Sequence, residues 1–270
     1  MRVETVDSRV AVPGGDVFVR RWSRGDADLE PIVLLHDSLG SVETWRDFPA
    51  ALAQASARPV IAYDRLGFGR SSPRTGLPGP GFILEEARVY FPALARALGL
   101  ERYVLFGHSV GGGMALSIAS LHRGECIAVV SESAQAFVEP RTLAGIEAAD
   151  ASFRAPDRLA KLDKWHGDKS RWVLDAWTRV WLSPQFRSWS LVPCLEDVRC
   201  PVLVIHGSDD EYGSEAFPRT IATQIRGPAS LEILEGCGHV PHREERERVL
   251  DLASAFIREH AGFQPAAAGA

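Results

Sequence analysis

The 270-residue sequence predicts an α/β fold in which a mostly parallel central sheet is flanked by helices. Short, continuous apolar runs recur along the chain, and such runs are typical of strands buried on both faces of a parallel sheet. Segments of helical length separate several of these runs, as right-handed crossovers between parallel strands require. One long interval, residues 132–197, contains no convincing strand and therefore predicts a helical insertion.

The order of the elements follows from the same patterns. The chain opens with a predicted β-hairpin, because residues 10–12 and 17–19 are apolar and flank the turn residues 13–16. The remaining predicted strands are six apolar runs at residues 32–35, 59–63, 103–106, 127–130, 202–205 and 231–234. The predicted helices cover residues 45–57, 83–98 and 112–122, and Gly99 is a typical cap for the second.

We therefore expect residues 1–131 and 198–260 to form the core, residues 132–197 a helical cap, and residues 261–270 a disordered tail. The cap contains five of the seven tryptophans, namely Trp165, Trp172, Trp177, Trp181 and Trp189. Large aromatic side chains of this kind either pack the cap onto the core or line a substrate pocket. The sequence leaves both roles open.

Composition argues against several classes of partner. The net charge of −5 and the dispersed arginines speak against nucleic acid binding. The four cysteines lack the spacing of a disulfide framework or a metal site, so we expect reduced thiols and no metal. The sequence has neither an apolar leader at its N-terminus nor an uninterrupted run of about 18 apolar residues. These two features predict a cytoplasmic protein that does not enter a membrane.

A serine lies at the apex of a predicted strand–turn–helix unit. Ser109 is central in Gly107-His108-Ser109-Val110-Gly111, between the apolar run at 103–106 and a segment that can open a helix. A nucleophile elbow needs small residues on both sides of a serine that is held in a strained backbone conformation. Ser109 is therefore the predicted nucleophile.

A serine hydroxyl also needs a base and a third group that orients the base. Asp209 and Asp210 follow the predicted strand at 202–205, and His239 follows the predicted last strand in a glycine-flanked loop. Both positions lie at the carboxyl ends of strands, where open α/β sheets build their sites. The other nearby histidines are interpreted as packing or hydrogen-bonding neighbours of the site: His36, His108, His206 and His242.

With its order of serine, aspartate and histidine, the chain resembles the α/β-hydrolase fold superfamily over about residues 10–258. The resemblance implies that Asp210 is the acid, by the register of an H-G-x-x-D stretch, with Asp209 as the alternative, and that His239 is the base. It also implies an oxyanion hole formed by the backbone N–H groups of Ser38 and Val110.

The segment from His36 to Gly40 is similar to the family's H-G-x-x-G loop, but Asp37 stands where the family usually has glycine. Aspartate tolerates left-handed backbone geometry better than most residues. Its charge would oppose an oxyanion unless it were paired, and Arg65 is the candidate partner. The stretch from Asp64 to Ser72 resembles the family's D-x-x-G-x-G-x-S loop, for which we expect a structural role.

The resemblance implies a serine hydrolase, without metal or cofactor, that cleaves a small carboxylic ester or related acyl compound through an acyl-enzyme. The same triad would also serve a carbon–carbon bond hydrolase of ring-cleavage products, a cofactor-free perhydrolase or a menaquinone-pathway-type lyase. A ligand receptor on a hydrolase scaffold is a further alternative. The serine argues against relatives that use aspartate at the elbow. Substrate identity, substrate-binding residues, acyl-length preference and oligomeric state do not follow from the sequence.

Overall fold

The computed structural model describes residues 3–24 and 29–261. Its centre is an eight-stranded sheet with strand order β1-β2-β4-β3-β5-β6-β7-β8. The strands are β1 Glu4–Val12, β2 Gly15–Ser23, β3 Ile32–Leu35, β4 Val60–Tyr63, β5 Tyr103–His108, β6 Cys126–Glu132, β7 Val202–Gly207 and β8 Ala229–Leu234. The hairpin β1–β2 pairs antiparallel with β4, and all the later pairings are parallel. The predicted mostly parallel α/β sheet is confirmed.

The inner strands are buried on both faces because they carry apolar side chains at successive positions. In β3, Ile32 and Leu34 join the apolar cluster on one face of the sheet. Val33 and Leu35 join the cluster on the opposite face. Successive side chains of a strand point in opposite directions, so a continuous apolar run fills both layers.

The helices are α1 Phe48–Ser56, α2 Phe82–Glu85, α3 Phe91–Ala97, α4 Val110–Leu121, α5 Pro140–Phe153, α6 Pro156–His166, α7 Ser170–Trp181, α8 Val192–Leu195, α9 Ala216–Gln224, α10 Pro241–Glu244 and α11 Arg246–His260. A five-residue π turn, Glu86–Tyr90, joins α2 to α3.

Two predicted helix boundaries differ from the structure. The segment predicted as one helix over residues 45–57 is a 3₁₀ turn, Val42–Trp45, followed by α1. Pro49 lies in the first turn of α1, where its missing N–H costs nothing, and it therefore favours a new start there. Helix α4 begins at Val110, two residues before the predicted start. Glycine-rich sequence at 111–113 obscured this start, because glycine has low helix propensity.

Helices α5 to α8 all lie between β6 and β7, and an antiparallel bridge between Phe137 and Ser190 joins the two ends of this inserted segment. The predicted tail at 261–270 lies outside the described residues except for Ala261. Ala261 is buried, and its carbonyl oxygen accepts a hydrogen bond of 3.1 Å from Arg58. Among the described residues, none of the helices combines the length and apolar character that crossing a bilayer requires.

Candidate active site

Ser109 occupies a sharp turn between the end of β5 and the start of α4. Its φ of 56° and ψ of −125° are unusual for a residue with a side chain. A Cβ at Gly107 would lie 2.1 Å from the Gly111 carbonyl oxygen, and a Cβ at Gly111 would lie 2.1 Å from the Leu35 carbonyl oxygen. Both glycines are therefore required for the close backbone approach that holds Ser109 at the apex.

The structure brings the three predicted side chains into one hydrogen-bonded chain. His239 Nε2 lies 3.0 Å from Ser109 Oγ, and His239 Nδ1 lies 2.8 Å from Asp210 Oδ2. Asp210 is 1% exposed, Ser109 is 6% exposed and His239 is 9% exposed. This arrangement can move the serine proton to His239 Nε2 while the carboxylate holds the opposite ring nitrogen in its protonated form.

The loop after β7 decides between the two aspartates. Asp210 Oδ1 accepts a 2.7 Å hydrogen bond from the Tyr212 N–H, which leaves Oδ2 for His239. Asp209 is exposed and its carboxylate accepts a hydrogen bond from Ser208 instead. Burial raises the pKa of Asp210, but the hydrogen bond and charge of His239, together with His206 and the Tyr212 N–H, outweigh it and the pKa lies below its usual value of 3.8. Asp210 is therefore ionised at neutral pH.

The loop after β3 presents the second predicted oxyanion donor. Ser38 lines the same cavity as Ser109. Val110 is the first residue of α4, where an N–H has no acceptor within the helix. In the described part of the chain, neither the Ser38 N–H nor the Val110 N–H donates a hydrogen bond to another protein group. Both donors are thus free for a ligand, and their role in an oxyanion hole stays a prediction.

The expected ion pair between the Asp37 carboxylate and Arg65 is wrong, because Arg65 binds a different atom of Asp37. Arg65 Nη2 donates a 2.7 Å hydrogen bond to the Asp37 backbone oxygen, not to the carboxylate. The carboxylate instead accepts a 3.0 Å hydrogen bond from the Leu39 N–H and lies 3.4 Å from His108 Nδ1. Asp37 is not among the described residues with positive φ, so this loop does not need the left-handed backbone that glycine favours, and the Asp37 side chain folds back onto its own loop.

A cavity of about 210 Å³ opens above Ser109. Its lining residues are Asp37, Ser38, Leu39, Ser109, Gln135, Thr142, Ile146, Trp177, Trp181, Glu211, Tyr212, His239 and Val240. Core loops provide the catalytic wall, and helices α5 and α7 of the inserted segment provide the opposite wall. Trp177 and Trp181 also border a narrower neighbouring cavity, which Arg65 and Arg74 line on the core side.

Sequence reasoning missed Gln135, which is buried and places Nε2 3.4 Å from Ser109 Oγ. It also missed Thr142 and Tyr212 in the cavity wall, where Thr142 Oγ1 donates a 2.7 Å hydrogen bond to the Tyr212 carbonyl oxygen. One signal was available for Gln135, because it follows the carboxyl end of β6, where parallel sheets collect functional side chains. Thr142 offered no such signal, since only the packing of α5 turns it toward the site.

The described ranges contain one buried group with metal-ligand side chains, His108, Glu132 and His242, whose nitrogen and oxygen atoms lie within 4.8 Å of one another. His242 Nδ1 is hydrogen-bonded to Glu132 Oε2 at 2.6 Å. Both ring nitrogens of His108 face other groups, the Asp37 carboxylate and the His239 carbonyl oxygen. Acceptors therefore face His242 Nδ1 and both ring nitrogens of His108, whereas the buried Glu132 Oε1 has no hydrogen-bond partner among the described residues.

Known proteins resemble this chain over most of its length. A 2-hydroxymuconate semialdehyde hydrolase from Pseudomonas sp. (strain CF600) is 27% identical over 254 residues, which span 85% of this chain and 87% of the relative. A proline iminopeptidase from Lactobacillus delbrueckii subsp. bulgaricus is 24% identical over 270 residues, spanning 85% and 90% of the two chains.

Solved structures show the same fold. The structure of a 2-hydroxy-6-oxo-6-phenylhexa-2,4-dienoate hydrolase from Rhodococcus sp. strain RHA1 superposes with a TM-score of 0.80 at 17% identity, covering 95% of this chain and 99% of the other. The model of the alpha/beta hydrolase family matches residues 32–252, from β3 into the last helix. This chain therefore belongs to the alpha/beta hydrolase family.

Proposed function

We propose that this alpha/beta hydrolase cleaves small carboxylic esters or related acyl compounds through an acyl-enzyme formed on Ser109. The observation that carries the proposal is the chain of two hydrogen bonds, 3.0 Å and 2.8 Å long, from Ser109 through His239 to the buried Asp210. His239 takes the serine proton as Oγ attacks the acyl carbon, and returns it to the leaving group. Water, activated by the same histidine, then releases the acid.

The negative charge that forms on the acyl oxygen needs donors that are already in place. The free N–H groups of Ser38 and Val110 would supply them. The amide of Gln135 approaches Ser109 Oγ from a third direction and supports the hydroxyl in the orientation from which it attacks. An uncharged acyl group is favoured, because the charged lining residues of the described cavity are Asp37 and Glu211 and none is lysine or arginine.

A carbon–carbon bond hydrolase is the second candidate. It is supported by the 27% identical relative named a 2-hydroxymuconate semialdehyde hydrolase. It is also supported by the buried guanidinium of Arg65 in the neighbouring cavity, which would attract a substrate carboxylate that reaches past Trp177. The two candidates share Ser109 and differ in the charge of the compound that they take.

The test is turnover of p-nitrophenyl acetate, butyrate and octanoate, with 2-hydroxymuconate semialdehyde assayed in parallel. We expect Ser109→Ala to lower kcat on the esters by about 10⁴- to 10⁶-fold, because the variant lacks the nucleophile. Ser152→Ala is the matched control, since Ser152 is an exposed serine on α5. Full ester turnover by Ser109→Ala would refute the proposal, and rapid cleavage of the semialdehyde with negligible ester turnover would favour the second candidate.

A further inference from the structure

His108 has an oxygen acceptor near each of its two ring nitrogens. It is the last residue of β5 and directly precedes Ser109, and its side chain is 2% exposed. Nε2 lies 2.8 Å from the carbonyl oxygen of His239, and Nδ1 lies 3.4 Å from Asp37 Oδ2. A carbonyl oxygen only accepts, so Nε2 carries a proton. A second donor at Nδ1, facing the carboxylate, exists only when the ring is an imidazolium.

The charges around His108 favour that imidazolium. Asp37 faces it from the loop after β3, and Glu132 lies at the end of β6. The rings of His239 and His242 approach it from the loop after β8 and from α10, at centroid distances of 5.2 and 4.8 Å. Burial lowers the pKa of His108, but Asp37 and Glu132 outweigh it, so the pKa lies above its usual value of 6.5.

The protonation states of the neighbouring side chains are consistent with an imidazolium at His108. Burial raises the pKa of Asp37, but the hydrogen bond and charge of His108, together with electrostatic interactions with His36 and Arg243, lower it by more, so the carboxylate is ionised. Burial lowers the pKa of His242, which is therefore neutral and donates Nδ1–H to Glu132. Arg243 lies near Asp37 as a second cation, with its guanidinium bound to the Thr44 carbonyl oxygen.

One ion pair, between the buried His108 and the half-buried Asp37, thus connects three parts of the catalytic machinery. The Asp37 carboxylate belongs to the loop that presents the Ser38 N–H, His108 is the residue before the nucleophile, and its Nε2 binds the main chain of the base, His239. The pair also carries no net charge. The carboxylate beside the oxyanion donors is therefore balanced by a cation instead of opposing the charge that develops there.

We propose that Asp37 and His108 are positioning residues. Their ion pair fixes the loop that presents the Ser38 N–H, and the loop that carries His239, in position relative to Ser109. The proposal rests on the proposed function, because it concerns the same nucleophile and base. Truncation of Asp37 would remove both the contact of the donor loop with His108 and the hydrogen bond to the Leu39 N–H. The oxyanion loop or the base loop would then shift relative to Ser109, which would slow the chemical step more than it weakens substrate binding.

The first experiment measures protonation without relying on turnover. Histidine ring ¹H–¹⁵N spectra of the full chain, assigned with the variant His108→Gln, would be recorded from pH 5 to 10. We expect both His108 nitrogens to be protonated at pH 7 in the wild type, and Nδ1 to lose its proton at a lower pH in Asp37→Asn. A singly protonated His108 at pH 7 in the wild type would overturn the proposal, whether or not any ester is cleaved.

The second experiment measures the effect on the chemical step. For p-nitrophenyl butyrate we expect Asp37→Ala to lower kcat by about 10- to 100-fold with KM changed less than twofold, because it removes the contacts to the Leu39 N–H and to His108 that place the donor loop. The rate at which a p-nitrophenyl phosphonate labels Ser109 should fall in parallel. Asp209→Asn is the matched control, since it removes an exposed carboxylate outside the cavity.

A double-mutant cycle separates positioning from a general loss of packing. If the two residues act as a pair, Asp37→Ala combined with His108→Gln should be no slower than the slower single variant. Asp37→Asn is the matched comparison, since its amide can accept from the Leu39 N–H and donate to Nδ1 of a neutral His108, and thermal unfolding checks the folding of each variant. Multiplicative losses, or a kcat for Asp37→Ala within twofold of the wild type, would overturn the proposal.

Discussion

The replacement Asp210→Asn tests the hydrogen-bond chain at its buried end. In the wild type the Tyr212 N–H donates to Oδ1 at 2.7 Å, and Oδ2 faces His239 Nδ1 at 2.8 Å. An asparagine must turn its oxygen toward the Tyr212 N–H, because the reverse orientation would set two donors against each other. Its NH₂ then faces His239 Nδ1 and makes that nitrogen an acceptor. The ring proton moves to Nε2, 3.0 Å from Ser109 Oγ, where it blocks acceptance of the serine proton.

This tautomer change sets the size of the effect. We expect kcat to fall by about 10³- to 10⁴-fold, the loss seen when a triad histidine is held in the wrong tautomer. That ratio corresponds to about 4 to 5.5 kcal/mol of transition-state stabilisation. KM should change little, since Asp210 is 1% exposed and does not line the cavity.

The assay is kcat and KM for p-nitrophenyl butyrate, with active sites counted by phosphonate labelling so that misfolded protein is not scored as slow enzyme. Asp209→Asn removes the adjacent, exposed carboxylate and should keep kcat within twofold of the wild type. The reasoning would be refuted if Asp210→Asn kept more than a tenth of the wild-type kcat. It would equally be refuted if Asp209→Asn lost as much activity as Asp210→Asn.

Two further predictions concern the elbow and the cavity. Gly111→Ala should lower the free energy of unfolding by about 3 kcal/mol, because its Cβ would lie 2.1 Å from a backbone oxygen. Thermal unfolding followed by circular dichroism should show this against Gly124→Ala, whose Cβ meets nothing within 4 Å, and equal Tm values would contradict it. Trp177→Ala should join the two cavities and raise kcat/KM for longer p-nitrophenyl esters by about fourfold per methylene accommodated. Trp165→Ala, outside both linings, should leave the chain-length profile unchanged, and an unchanged profile for Trp177→Ala would show that this ring does not limit the pocket.

Much of the site could be predicted because its chemistry is tied to local sequence. Gly107 and Gly111 mark the elbow, since no other residue fits against the Leu35 and Gly111 carbonyl oxygens. Asp210 and His239 follow strands whose carboxyl ends meet at one sheet edge, so their meeting follows from parallel topology. The partner of the Asp37 carboxylate could not be predicted in this way. Its partner, His108, is 71 positions away and becomes a neighbour only because β3 and β5 lie side by side.

The residues that line the cavity could not be predicted from the sequence for the same reason. The five tryptophans of the inserted segment are equivalent in sequence, yet Trp177 and Trp181 line the cavity while Trp165 packs against Lys164 and Trp189 against Phe186. Which ring faces the cavity depends on how α7 rotates on the core. That rotation is set by many weak contacts summed over the interface, and no short motif encodes it.

The sequence by itself determined the parallel α/β sheet, the elbow at Ser109 and the order of the acid and the base, because strand burial, glycine clearance and chain order are local or topological properties. The tertiary structure places Asp210, the residue that the family register implies, and not Asp209 against His239, and it alone decided that Asp37 pairs with His108 and not with the Arg65 guanidinium and that Gln135 approaches Ser109. Each of these contacts joins side chains from different loops. The distances in these contacts depend on packing across the whole sheet edge. The spacing of the residues along the sequence does not specify that packing.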